Sequence, residues 1–176
     1  MRTAALLALA LTCVVSAAEN PAPPAAAAQK SVAGFSGVLV ITPDKDWESK
    51  WNTSPESIPY FSSGSKLSKG GKLFVITMYS NPQLDTSGAA SVSMDIDVLR
   101  PDGTASSHAE GADCARGKIQ GPARSFYLCR QVVEFFDEPA DPVGTWTVRI
   151  LLRDDVRKVS IPLSMEFVVV DDRPTV

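Results

Sequence analysis

The chain has almost none of the side chains on which common catalytic and metal sites depend. It contains one histidine, His108, and three cysteines in 176 residues. A catalytic triad needs a histidine held rigidly beside a nucleophile, and a structural zinc site needs four ligands. His108 lies in Ser106–Glu110, which has the composition of a flexible surface loop. We therefore assign no catalytic, cofactor-binding or metal-ligating residue.

Clusters of basic residues and long apolar runs are also lacking. The net charge is −3 at pH 7, and Lys and Arg are scattered along the chain. This composition argues against binding to nucleic acid or to an anionic membrane surface. After the first 18 residues, no apolar run approaches the roughly 20 residues of a membrane-spanning helix. We expect neither a nucleic-acid partner nor a transmembrane segment.

The beginning of the chain has the pattern of a secretory signal. Arg2 supplies a positive charge, residues 4–15 are almost all apolar, and Ser16-Ala17-Ala18 offers small residues for cleavage. The apolar run is too short to span a bilayer. We predict a signal peptide over residues 1–18 and an exported protein, periplasmic or extracellular.

Cys13 raises the alternative of a lipid anchor. Lipoprotein signals usually have Leu three residues before the cysteine and a small residue directly before it, whereas this chain has Ala10 and Thr12. Removal of Cys13 with the signal peptide is therefore favoured over lipidation.

Residues 19–33 are rich in Ala and Pro, which cannot form a core and which favour an extended linker. The folded domain is expected over residues 34–172, with a tail at 173–176.

Alternating apolar residues in the last third of the domain predict a β-hairpin. Trp146, Val148, Ile150 and Leu152 alternate with mostly polar residues, and a similar alternation runs from Val159 to Val170. A period of two is typical of half-buried strands. Asp154-Asp155 predicts the turn, and Pro162 predicts an edge or a bulge.

Further strands are predicted at 35–42, 72–80, 91–99 and 125–136, whereas Thr104–Gly121 is polar and without a clear pattern. Turn residues are frequent, and no long helix is indicated. About seven strands in this arrangement predict an all-β, two-layer antiparallel β-sandwich.

Trp47 and Trp51 lie four residues apart between the first two strands, with Pro55 and Pro59 behind them. This spacing fits one short helical turn that places both rings on the same face, and a loop with two anchoring aromatics is the alternative. The two rings are our candidate binding surface for a protein or carbohydrate partner. Packing as part of the core or as a lid over it is the more common role.

Cys114 and Cys129 form an even pair in a chain predicted to be exported. Their spacing does not match a redox or metal motif, so we predict a structural disulfide that stabilises the fold by about 3 kcal/mol. It would hold the irregular region around Cys114 against the strand that begins near Ser125.

Pairs of acidic residues recur at Asp44/Asp46, Asp95/Asp97, Asp154/Asp155 and Asp171/Asp172. Calcium needs several converging oxygens, and no run here matches a known calcium loop. A solvated sheet face explains Asp95/Asp97 more simply. The sequence leaves open whether these loops bind calcium.

The stretch Asp141-Pro-Val-Gly-Thr-Trp-Thr-Val-Arg149 resembles the Asp-x-x-Gly-x-Trp/Tyr-x-Val signature of many secreted bacterial immunoglobulin-like and fibronectin-III-like domains. The resemblance implies that Gly144 opens a late strand and that Trp146 fills the core. The whole chain resembles uncharacterised exported bacterial proteins. The Cys…Trp…Cys spacing of antibody domains is missing, so the resemblance implies an architecture and no immune role.

These observations together predict an exported, non-enzymatic β-sandwich that serves as a binding or interaction module. One alternative is a secreted hydrolase or metal-dependent enzyme that uses the loop Asp residues and His108. Another is an accessory subunit of a cell-envelope assembly.

Overall fold

The computed structural model describes residues 27–53 and 59–172. Alternating apolar residues form strands throughout this part of the chain, and one short helix interrupts them. In chain order the elements are β1 (Ala27–Val32), β2 (Phe35–Thr42), α1 (Trp47–Trp51), β3 (Lys66–Ser68), β4 (Lys72–Ser80), β5 (Ala89–Leu99), β6 (Ala105–Lys118), β7 (Phe126–Leu128), β8 (Val133–Phe136), β9 (Gly144–Asp154) and β10 (Val159–Val170).

The strands form two five-stranded sheets that face each other. The first sheet has the order β1-β2-β4-β7, and β8 pairs with β4 beside β7. The second sheet has the order β3-β10-β9-β5-β6. The pairing of β3 with β10 is parallel, and the other strand pairs are antiparallel. The prediction of an all-β, immunoglobulin-like two-layer sandwich is confirmed.

The core lies between the sheets and is filled by the inward residues of both. Trp146, Phe35 and Phe167 are among its largest fully buried side chains. The ring of Phe135 meets the rings of Trp146 and Phe167 edge-on, at centroid distances of 4.9 and 4.8 Å. Trp146 thus has the core-filling position that the resemblance to immunoglobulin-like domains implies.

The predicted C-terminal hairpin is confirmed as β9 and β10, with Trp146 opposite Phe167. The side-chain carboxylate of buried Asp154 closes the turn by accepting hydrogen bonds from the backbone N–H groups of Val156 and Arg157. Among the described residues, β3 pairs with β10 only at residues 168–170, so Pro162 faces an unpaired edge. This position suits a residue without an N–H donor.

The boundary of the domain differs from the one expected. β1 lies within the segment 19–33 that the sequence assigns to a linker, and it pairs with β2 from Ala27 to Val32. The sheet therefore includes residues at least from Ala27, not from Gly34. β1 was missed because as an edge strand it buries little apolar surface, so its Ala, Gln, Lys and Ser do not alternate clearly. The predicted signal peptide, the rest of the linker and the tail lie outside the described residues.

The region Thr104–Gly121 also differs from its prediction, because it contains the 14-residue strand β6. Its pairing with β5 has three register shifts, and most of its side chains are exposed, so the apolar alternation is lost. The predicted single strand over 125–136 is instead divided into β7 and β8. The described residues therefore contain more strands than the predicted seven.

The predicted disulfide between Cys114 and Cys129 is confirmed, with an S–S distance of 2.05 Å. It joins β6 of the second sheet to the segment that separates β7 from β8 in the first. That segment also donates backbone hydrogen bonds to both sheets, from Cys129 N–H to Thr77 O and from Arg130 N–H to Cys114 O, each at 2.9 Å. This bridge between the sheets explains why the strand is divided there.

None of the helical structure in residues 27–53 and 59–172 has the length and apolar character required to cross a membrane.

Candidate functional site

The first sheet is apolar on both faces. Along β2, Leu39 and Ile41 point into the core, whereas Val38 and Val40 point outward into a second apolar cluster. Ile76 and Met78 of β4 belong to the same outer cluster. β4, which was predicted as a strand over residues 72–80, is thus apolar on both faces, and it lies between β2 and the β7/β8 pair. Because the second sheet covers only the inner face, something else must cover the outer one.

The helix α1 and the residues beyond it provide part of this cover. The ring of Trp47 lies against Phe74 of β4, with a centroid distance of 6.4 Å. Trp51 and Phe61 pack on the same outer cluster. The predicted short helical turn, with both tryptophan rings facing the sheet, is therefore confirmed as a structural element.

Asp44 connects the helix to the residues that follow it. Its carboxylate pairs with the Lys50 ammonium at 2.7 Å and accepts a hydrogen bond from the backbone N–H of Ser62 at 2.8 Å. Burial would raise the pKa of Asp44, but the hydrogen bonds from Lys50 and Ser62 outweigh burial and lower this pKa to about 2. The anionic carboxylate thus holds the two sides of the cover together at neutral pH.

Gly64 holds the loop that follows α1 against the C-terminal end of β2. Its backbone N–H donates to the carbonyl oxygen of Ile41 at 2.8 Å. A Cβ atom at residue 64 would lie only 2.8 Å from that oxygen, which is closer than real Cβ atoms come. The close approach therefore depends on a glycine.

The described residues of the cover leave an open groove of about 330 Å³ between them, which we call the outer groove. Its floor consists of Val38, Val40 and Met78. The walls come from β1, from α1 with the residues beyond it, and from β7, and they consist of Ala27, Gln29, Trp51, Pro59, Tyr60, Phe61 and Phe126.

The lining of the outer groove is suited to apolar surfaces. Apart from the ring-borne polar groups of Trp51 and Tyr60, the amide of Gln29 is the one polar side-chain group among the described lining residues. Tyr60 is 79% exposed and Phe126 is 43% exposed, so two large aromatic side chains face solvent at its rim. Aromatic side chains contribute much of the binding energy at recognition sites.

The two predicted binding residues occupy different places. Both rings pack on the outer apolar cluster, but Trp51 also lines the outer groove, whereas Trp47 packs on Phe74 and is not part of the lining. The contribution of these rings to ligand binding stays a prediction. Sequence reasoning missed the other aromatic walls, Tyr60, Phe61 and Phe126. The available signal was the apolar character of both faces of β4, which implies an outer surface that needs a partner.

The acidic pair Asp95/Asp97 lies on the outer face of the second sheet, and each carboxylate binds a neighbouring basic side chain. Asp95 forms a two-pronged pair with the Arg153 guanidinium and accepts a hydrogen bond from the Gly111 N–H at 2.9 Å. The hydrogen bonds from Arg153, opposed by burial, lower the pKa of Asp95 to about 2. Asp95 therefore forms an ion pair with Arg153 on the solvated face of the sheet.

His108 is in the strand β6 and not in the flexible loop that the sequence predicts. Its Nδ1 is hydrogen-bonded to the carboxylate of Asp97 at 2.6 Å across the β5–β6 pair. This hydrogen bond raises the pKa of His108 above its usual value. In residues 27–53 and 59–172 no group of three or more His, Cys, Asp and Glu side chains is placed to hold a metal ion.

No protein-family model matches the chain, and no curated protein sequence matches it. Solved structures with a similar fold include a Niemann-Pick type C2 protein from the Japanese carpenter ant, at 13% identity and a TM-score of 0.40 over 75% of this chain and 89% of that one. A family 123 glycoside hydrolase from Clostridium perfringens has 11% identity and a TM-score of 0.38 over 77% of this chain and 27% of its own length. Likenesses at this level identify no family and support no functional conclusion.

Proposed function

We propose that the chain is an exported, non-enzymatic β-sandwich module that binds a small apolar ligand, or the apolar part of a larger one, in the outer groove. The observation that carries this proposal is the lining of the groove. Small-molecule sites are concave, predominantly apolar and roughly 300 to 1,000 Å³ in volume, with a few polar groups that orient the ligand. The outer groove, at about 330 Å³, lies at the small end of this range.

The chemistry of the lining favours an apolar ligand over a carbohydrate. A sugar needs several hydrogen-bonding partners besides a stacking ring, because each of its hydroxyl groups must be satisfied when it leaves water. Gln29, with the ring-borne polar groups of Trp51 and Tyr60, offers few such partners among the described lining residues. The predicted protein partner would have to present an apolar side chain to the same groove.

Two further observations support the exported location. Cys114 and Cys129 are joined and fully buried, as is usual for disulfides formed in an oxidising compartment. The first 18 residues have the charge and apolar pattern of a signal peptide.

Fluorescence titration with 1-anilinonaphthalene-8-sulfonate, an apolar probe, tests the binding proposal. Phe126→Ser removes a ring from the groove wall and should weaken probe binding about fivefold to tenfold, because a lost aromatic contact removes about 1 kcal/mol or more. Phe136→Ser is the matched control, since Phe136 is also an exposed aromatic residue of the first sheet but does not line the groove. Equal affinities for the two variants would contradict the proposal.

A further inference from the structure

The N-terminal end of the described chain lies at the outer groove. Ala27 is the first described residue, it pairs with Val40 on the groove floor, and it lines the groove itself. Because β1 is antiparallel to β2, its first residue, Ala27, lies near the end of β2 from which the chain continues to α1. The Ala/Pro-rich segment 19–26 is thus attached directly to the site.

The composition of this segment fits the walls of the groove. Residues 21–26 are Pro-Ala-Pro-Pro-Ala-Ala, without a charge or a polar side chain. Proline-rich segments form extended helices that bind to aromatic-lined grooves, and they lose little conformational entropy on binding. Trp51, Tyr60, Phe61 and Phe126 provide such a lining.

The length of the segment is also sufficient. In an extended proline-rich helix, at about 3.1 Å per residue, the eight residues 19–26 would reach roughly 25 Å. A strand rises about 3.3 Å per residue, so this length exceeds the distance from Val38 to Val40 on the groove floor several times. Attachment at Ala27 gives an effective concentration on the order of millimolar.

We propose that the Ala/Pro-rich segment 19–26 is an intramolecular ligand of the outer groove, which an external apolar ligand must displace. This inference rests on the proposed function, because it concerns how access to the same site is controlled. A segment whose own affinity is about millimolar would occupy the groove for roughly half of the time. The apparent affinity of the groove for an external ligand then falls in proportion to the fraction of molecules whose groove is free of the segment.

The test uses the exported chain with two prolines of the segment replaced, Pro23→Ser and Pro24→Ser together. The matched control is Pro139→Ser with Pro162→Ser, which replaces two exposed prolines that do not line the groove. Hydroxyl-radical footprinting reports the accessibility of Tyr60 and Phe126 without any ligand. Titration with 1-anilinonaphthalene-8-sulfonate reports the affinity of the groove.

We expect the P23S/P24S variant to show at least twofold faster oxidation of Tyr60 and Phe126 and at least twofold tighter probe binding than the parent and the control. Footprints that are identical in parent and variant would overturn the inference, even if the probe binds. Faster oxidation of the two rings with no probe binding in any variant would support the segment as occupant and count against the proposed function. Protection of the rings that increases with protein concentration would identify a second copy as the occupant and would also overturn the inference.

Discussion

Asp97 and His108 form the clearest pH-sensitive contact on the outer face of the second sheet. The hydrogen bond to the Asp97 carboxylate favours the protonated imidazole and raises the pKa of His108. A raised pKa in the folded state means that the pair stabilises the fold fully below the unfolded pKa, about 6.5. This contribution is lost as the pH rises through the raised value.

Asp97→Asn should therefore lower the pKa of His108 toward about 6.5. His108 is the single histidine of the chain, so its ring signals can be followed by NMR without ambiguity in assignment. Asp46→Asn, which changes an exposed carboxylate near α1, is the control and should leave the titration unchanged. A pKa that is the same in the parent and in Asp97→Asn would show that the hydrogen bond is absent in solution.

Within the cover of the outer groove, Gly64 holds the loop that follows α1 close against the backbone of Ile41. Gly64→Ala should destabilise the fold by about 1 to 3 kcal/mol, because the added Cβ atom meets the backbone of Ile41, which cannot move without disturbing β2. The displaced loop should also carry Phe61 away from the groove and weaken binding of the apolar probe.

Urea unfolding and probe titration measure the two effects. Ser63→Ala, at the neighbouring exposed position, is the matched control and should change neither quantity by a measurable amount. Unchanged stability and unchanged probe affinity in Gly64→Ala would mean that the loop does not hold the groove in shape.

The strands that bury one whole face were predicted correctly from the sequence. β5 and β9 alternate almost without interruption because each lies between two other strands and covers the core. β1 and β6 are edge strands, and few of their side chains are buried, so few of them need to be apolar. The polar composition that makes an edge strand suitable for solvent also removes the pattern that would identify it.

The outer groove was only partly predictable for a related reason. The spacing of Trp47 and Trp51 indicated a short helical turn with both rings on one face. That Trp51, Phe126 and Ala27 line the same groove depends on which strands are neighbours in the sheet. Ala27 and Phe126 are almost a hundred residues apart in the sequence, and the pairing of β1, β2, β4 and β7 brings them to the same surface. No local pattern contains that information.

For the molecule as a whole, the disulfide is the one covalent cross-link, apart from the backbone itself, between the sheets in the described part of the chain. Replacing both cysteines, Cys114→Ala with Cys129→Ala, should lower the free energy of unfolding by about 3 kcal/mol, as expected for closure of a loop of about 15 residues. Urea unfolding of the parent and the double variant provides the measurement. Parent protein in reducing buffer should resemble the variant.

The same pair of residues can be checked by mass. Non-reduced protein should be lighter than reduced protein by two hydrogens. Neither Cys114 nor Cys129 should react with a thiol reagent even after unfolding without a reductant, since their sulfur atoms are bonded to each other. Labelling of the two thiols in native, non-reduced protein would contradict the pairing.

The parallel pairing of β3 with β10 places Lys66 opposite Val168. During synthesis, the N-terminal part of the chain emerges first. β3 then has no partner strand until nearly the whole chain has followed. β5 can pair with β6 as soon as that strand has emerged, and only its other edge must wait for β9. Sheets closed by such distant strands fold slowly, on a scale of milliseconds to seconds. Until then β4 exposes two apolar faces, so the nascent chain is the form of this protein that most needs a chaperone.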